Sequence, residues 1–204
     1  MPHTVHQGDL PADVVLSGDI AVDTEAMGLN NKRDRLCLVQ LSDGSGSAHI
    51  VQFSRGQYQA PNLVKLLADP ARVKIFHFAR FDLSIMKEYL GVRISPVYCT
   101  RTASRLARTY TDKHGYKDIC KELLGVEISK QQQSSDWGSA TLTQEQIDYA
   151  ASDVLHLHKL RDKLTAMIER EGRRELLDAC LNFLPYRAEL DLAGWEHDDL
   201  FAHS

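Results

Sequence analysis

Apolar and polar positions change rhythm along the chain. Asp19–Thr24 (D-I-A-V-D-T) predicts a short strand. Arg35–Ser42 (R-L-C-L-V-Q-L-S) is apolar at nearly every position, the pattern of a strand buried on both faces. Asp43-Gly44-Ser45-Gly46 is a turn signal, and Ala48–Phe53 returns as a third strand, so the chain opens with a meander. Helix and strand then alternate. Asn62–Ala68 predicts a helix, Val73–Phe78 a strand, Phe81–Leu90 a helix stopped by Gly91, and Val97–Thr100 a strand. Helices follow over Thr102–Tyr110, Tyr116–Leu124, Gln144 to about Glu171, and about Arg174–Leu184. In the long helix Ile147, Ala150, Ala151, Val154, Leu157, Leu164 and Ile168 recur at helical spacing, and Thr143 with Gln146 forms a capping box at its start. This order predicts an α/β domain on a mixed sheet.

Composition narrows the class. The 204 residues suit one domain, and 43% hydrophobic with 25% charged residues excludes a disordered, collagen-like or coiled-coil chain. No stretch approaches the ~18 apolar residues that span a bilayer. Met1–Ile20 has no Lys or Arg and no apolar h-region, so a secretory signal is not expected and the cytoplasm is. Cys37, Cys99, Cys120 and Cys180 are scattered without a C-x-x-C pair and read as reduced core residues.

Net charge is -4, which argues weakly against a large non-specific nucleic-acid surface. The charge is uneven, however. Residues 101–130 hold seven bases against four acids, a surplus able to meet a short polyanion when metal ions bridge the contact. Residues 187–204 carry five acids against one base, with Trp195 and Phe201, and are expected to be loosely ordered or docked on a partner subunit.

Three acidic groups are candidates for chemistry. Strand alternation puts Asp23 and Glu25 on one side of the chain, where two carboxylates repel unless a cation lies between them. A polar strand end gives the same pattern. Asp82 follows the Val73–Phe78 strand, where a first-turn Asp is equally favoured by the helix dipole. Tyr149 and Asp153 stand one helical turn apart at the edge of the apolar stripe, an ordinary place for a tyrosine. Each group is common alone.

Together, in this order, they resemble the tyrosine-containing branch of the DEDD exonuclease superfamily. The surrounding runs are similar to the bacterial ribonuclease D group: A-V-D-T-E at 21–25, L-C-L-V-Q-L at 36–41, H-F-A-R-F-D at 77–82, S-S-D-W at 134–137 and L-T-Q-E-Q-I-D-Y-A-A-S-D-V at 142–154. The resemblance covers roughly residues 15–175. It implies an RNase H-like fold, a mixed five-stranded sheet flanked by helices. The whole chain, 1–204, would be one 3′–5′ exonuclease domain, with 176–204 a C-terminal helix and acidic tail.

The resemblance implies hydrolysis of phosphodiesters from the 3′ end with release of 5′-mononucleotides. Asp23, Glu25, Asp82 and Asp153 match metal ligands, and Tyr149 matches the residue that positions the attacking water. Two divalent ions about 4 Å apart can generate the nucleophile and neutralise the leaving oxygen. Hard oxygen ligands suit Mg²⁺ or Mn²⁺. In that scheme Asp23 bridges, Glu25 and Asp153 complete one shell, and Asp82 serves the second ion through water. Met27, Gly28 and Leu29 would lie near the terminal bases as an apolar wedge. His77, Phe81, Lys117 and Gln133 are further substrate-binding candidates, with Lys121 and Lys130 as lesser ones. A strand histidine satisfied within the protein and a solvated lysine face explain His77 and the lysines equally well.

Ribonuclease D proper carries helical nucleic-acid-binding domains after the nuclease domain, and only about 30 residues follow the long helix here. The compact form is similar to the nanoRNase C group, which acts on very short RNAs, including dinucleotides, and forms ring-shaped homo-oligomers. The expected partners are therefore short single-stranded RNA and further copies of the chain, with an octameric ring as one such assembly and no membrane. The alternatives are a DNA-directed exonuclease on the same fold and a non-catalytic nucleic-acid-binding module. The second is disfavoured because all four acids and the tyrosine are present.

Overall fold

The run expected to be buried on both faces is so: all seven side chains of β3 (Leu36–Ser42) are inaccessible to solvent. The structure is a computed structural model describing residues 3–129, 131–132 and 134–203. β3 lies inside a mixed six-stranded sheet. The spatial order is β1 (Thr4–Gln7), β4 (His49–Gln52), β3, β2 (Ile20–Ala26), β5 (Lys74–Phe76), β6 (Val97–Cys99). β2, β3 and β4 pair antiparallel, as the meander predicts, whereas β5 and β6 add in parallel beside β2.

The count of five strands is corrected to six. The extra strand, β1, pairs in parallel with β4 at the sheet edge. It is short and polar, and it is held by side chains that only the register brings together. The stacked rings of His6 and His49 bond at 2.9 Å, and Gln7 Nε2 donates to Gln52 Oε1 at 2.9 Å.

Among the described residues seven α-helices flank the sheet: α1 (Pro61–Ala68), α2 (Arg80–Leu90), α3 (Thr100–Ala107), α4 (Tyr116–Leu124), α5 (Gln144–Leu155), α6 (Leu157–Arg170) and α7 (Arg174–Leu190). The single helix expected over 144–171 is two helices meeting at His156. The break follows from packing. α5 lies on β2, β3 and β4, whereas α6 turns away onto α3, α4 and β5. The last helix also runs beyond Leu184, with Pro185 buried inside it. Cys37, Cys99 and Cys120 are buried, but Cys180 on α7 is exposed; all four thiols are free.

Two apolar clusters result. The main one includes Ile20, Val22, Val39, Leu41 and Phe76. A smaller one beneath α5 joins Cys37, Leu38 and Ile50 to Trp137 and Ala150. β5 begins with a wholly buried lysine. Lys74 Nζ donates to the carbonyls of Asp69, Arg72 and Ser95 at 2.6, 2.6 and 3.1 Å, tying two loops to the sheet.

The acidic tail docks on its own domain. Arg80 of α2 donates through Nε and Nη2 to Asp191 at 2.6 and 2.8 Å, and Arg187 reaches the same carboxylate at 2.7 Å. The chain then kinks within Asp191–Trp195, where Gly194 takes a φ of 110°. Phe201 returns against Phe183 with ring centroids 6.2 Å apart. Among the described residues no helix is long and apolar enough to cross a membrane.

Candidate active site

Three elements, β2, α5 and α2, deliver the acids. β2 presents Asp23 and Glu25 on one face, and α5, crossing that face, presents Tyr149 and Asp153 one turn apart. The start of α5 is fixed by the capping box. Gln146 N–H donates to Thr143 Oγ1 (3.3 Å) and Thr143 N–H donates to Gln146 Oε1 (2.9 Å). A β-bulge follows Glu25: it opposes Leu38, whereas Ala26 opposes Leu36, leaving Cys37 as the extra residue. Bulges re-aim side chains next to sites of this kind.

Carboxylate oxygens of Asp23, Glu25 and Asp153 all lie within 4.8 Å of one another. Asp82, in the first turn of α2, is buried beside them and accepts a hydrogen bond from Thr24 Oγ1 at 2.6 Å. Thr24 is the middle residue of D-T-E and was hidden in the sequence as filler between two acids. Tyr149 tilts against Trp137, with centroids 5.9 Å apart.

The four carboxyls suffer a common penalty. Burial, reinforced by Asp82, Asp153 and Glu25, pushes Asp23 well above the usual carboxylate range. Burial, with Asp153 and Asp82, raises Glu25 to about 9. Burial lifts Asp82 to about 7 despite the Thr24 hydrogen bond, and burial with the Asp82 charge lifts Asp153 to about 7. Burial, then Asp153, Glu25 and Asp23, raises the Tyr149 phenol. Among the described residues no Lys, Arg or His ion-pairs with any of the four acids. An all-oxygen donor set of mutually repelling acids fits a hard divalent cation.

The acids floor a cleft of about 390 Å³, lined by Asp23, Glu25, Tyr149 and Asp153 with His77, Phe78, Arg101, Tyr116 and Lys117. His77 is fixed as one tautomer. Thr100 Oγ1 donates to the Phe76 carbonyl (3.1 Å), so it accepts from His77 Nδ1–H (2.9 Å), and Nε2 keeps its lone pair. Burial, with Arg101 nearby, drives this imidazole down to about 3, so it is neutral. Phe78 is the one non-glycine residue with positive φ (65°) among the described residues, a strained conformation that leaves its ring exposed. The Arg101 guanidinium lies over that ring, 4.7 Å from its centroid.

Other candidates lie elsewhere. Met27 and Leu29 are exposed in the loop after Glu25. Gly28 abuts Asp34, whose Oδ2 would clash with any added Cβ. Phe81 packs on the main core. Lys117 lines the cleft, but Lys121 pairs with Glu127 at 2.9 Å. Gln133 and Lys130 lie outside the described residues. Phe78, Arg101 and Tyr116 were missed. No spacing links positions 78, 101 and 116; only the fold gathers them.

A family profile described as a 3′–5′ exonuclease matches residues 3–169. The ribonuclease D of Granulibacter bethesdensis is 35% identical over 154 residues, 76% of this chain and 38% of that protein. The chain thus spans about two fifths of the length of that relative. Brucella melitensis NrnC with bound Mg²⁺ superposes with a TM-score of 0.96 at 53% identity, covering 100% of both chains. The same protein bound to pGG superposes equally well, TM-score 0.96 at 54% identity and 100% of both chains.

Proposed function

The chain belongs to the 3′–5′ exonuclease family, and from that premise we propose that it is an exoribonuclease releasing 5′-mononucleotides from the 3′ end of short RNA, down to dinucleotides. The observation that carries this reading is the convergence of Asp23, Glu25 and Asp153 within 4.8 Å, with Asp82 beside them and Tyr149 one turn away. The pGG bound by the Brucella protein supports a short substrate.

The residues divide the work. Asp23, Glu25 and Asp153 would hold one divalent cation, Mg²⁺ or Mn²⁺, with Asp23 shared with a second held by Asp82. Such a pair supplies a hydroxide at neutral pH and charge neutralisation at the leaving oxygen. The Tyr149 hydroxyl, one helical turn from Asp153, donates to the attacking water and fixes its direction. The water gives up a proton to solvent as its oxygen bonds to phosphorus, the P–O3′ bond breaks, and O3′ takes up a proton from solvent. The shortened strand keeps a 3′-hydroxyl and the freed nucleotide keeps its phosphate. Lys117 and Arg101 supply positive charge at the wall of the cleft.

Further copies of the chain would complete the particle, in a ring. The exposed Leu176, Phe183, Tyr186, Trp195 and Phe201 on α7 and the tail offer an apolar surface for such contacts. The test is a time course on 5′-labelled RNAs from dinucleotides upward, with matched DNA, in Mg²⁺, Mn²⁺ or EDTA. Metal-dependent loss of single nucleotides from the 3′ end is expected. Equal turnover of DNA would move the substrate to the alternative. No cleavage by folded protein in either metal would leave the non-catalytic module.

A further inference from the structure

Among the described residues three glutamines are buried, and in two of them both the oxygen and the nitrogen are partnered. Gln52 accepts from Gln7 and donates to the Ser139 carbonyl, each at 2.9 Å. Gln146 accepts from Thr143 N–H at 2.9 Å and donates to the Asp136 carbonyl at 3.2 Å. Gln40 differs. It sits in the middle of β3 with no exposed surface, and neither its oxygen nor its nitrogen has a partner among the described residues. A primary amide offers two donors and two acceptor lone pairs, and burying one unpaired is destabilising. The strand does not need it: Val39 and Leu41 flank it and Ile50 opposes it from β4.

The register shows what the amide faces. Gln40 stands directly opposite Asp23 in the β2–β3 ladder. Opposed residues send their side chains to the same face, with Cβ atoms about 4.5–5.5 Å apart. That face is the one α5 crosses with Tyr149 and Asp153. The orphan amide therefore lies on the protein side of the acid cluster, within a side chain's reach of Asp23 and sealed from solvent.

We propose that Gln40 is a positioning residue for Asp23, its Nε2–H donating to the Asp23 carboxylate when that carboxylate holds a divalent cation. Gln40 touches neither substrate nor reacting atoms; it fixes the rotamer of the carboxylate that does. This rests on the cation-binding reading of the site. It explains why an unpaired amide is kept inside an apolar strand: the carboxylate it would serve stands directly opposite it in the ladder. Removing a hydrogen bond behind a metal ligand typically lowers metal affinity about 10–100-fold.

The test compares Gln40→Met, similar in volume and without donors, with wild type and with Gln52→Met. Two readouts on the full chain are needed: the melting temperature in EDTA, and the Mn²⁺ dissociation constant from the electron paramagnetic resonance of free Mn²⁺. Gln40→Met should weaken Mn²⁺ binding about 10–100-fold while the metal-free protein melts at or above the wild-type temperature. Gln52→Met should do the reverse, melting lower with Mn²⁺ binding unchanged. Mn²⁺ binding by Gln40→Met within about twofold of wild type would overturn the proposal, since the expected loss is at least about tenfold. So would a metal-free melting temperature as low as that of Gln52→Met, or failure of both Gln40→Met and Gln40→Leu to fold, because either makes the amide structural. Wild type that binds no Mn²⁺ would defeat the cation reading itself, whereas wild-type binding that Gln40→Met matches defeats only the role of Gln40.

Discussion

Asp153 is the residue whose removal separates stability from activity. Its carboxyl and that of Asp82 lie near 7, and Glu25 near 9, all above their ordinary values near 4. The folded protein thus binds these protons more tightly than the unfolded chain. Their contribution to stability is complete below about pH 4 and is lost as pH rises through 7 towards 9. Calorimetry in EDTA should show the melting temperature falling over that range. In Asp153→Ala the fall should be shallower, and at pH 8 the metal-free variant should be more stable by at least about 1 kcal/mol, roughly 2–4 °C at this size. The same variant should be inactive. Tyr149→Phe should behave differently. Mn²⁺ affinity should be kept while kcat falls about 100-fold, as for loss of one positioned proton donor. Wild-type turnover in Asp153→Ala would reject the assignment of the acids.

Among the elements, α5 carries both Tyr149 and Asp153, and its N-terminal cap tests how the helix's stability depends on its start. Thr143→Ala removes a cap bond and should cost about 1 kcal/mol by denaturant titration. Lys74→Met should cost more, about 2–3 kcal/mol, because it strands carbonyls that one ammonium now satisfies. Legibility in the sequence follows the same division. β3 was readable because a doubly buried strand must be apolar throughout, and D-x-E and Y-x-x-x-D were readable because one strand face and one helix turn fix their spacings. The junction at His156 was not. It has neither glycine nor proline, and the apolar stripe continues across it from Val154 to Leu157 and Leu164. β1 was not, because an edge strand of four residues needs little apolar surface and its partners lie more than 40 residues away. Phe78 and Arg101 meet only through the fold.

Over the whole molecule, the site exists only in the folded state. Its acids come from positions 23, 25, 82 and 153, so a cation that gathers them binds the native chain and not the unfolded one. At a hundred times its dissociation constant such a ligand adds about 2.7 kcal/mol. EDTA should therefore lower the melting temperature of wild type and leave Asp153→Ala unmoved. Light scattering on the eluting protein tests the ring, and a single species near 23.0 kDa would reject it.

The clasp between Arg80 and Asp191 also sets an order of events during synthesis. The two residues are 111 positions apart. At about 5–20 residues per second the ribosome needs roughly 6–22 s to supply the second after the first. Through that interval α2 is complete while α7 is not, and the flank that Pro185 and Ala188 will cover, around Leu83, is bare. The nascent chain thus shows an apolar surface for seconds, beside Asp82 of the candidate site. That surface is where a chaperone attending the ribosome would find its hold, and the arrival of Asp191 is what would end it.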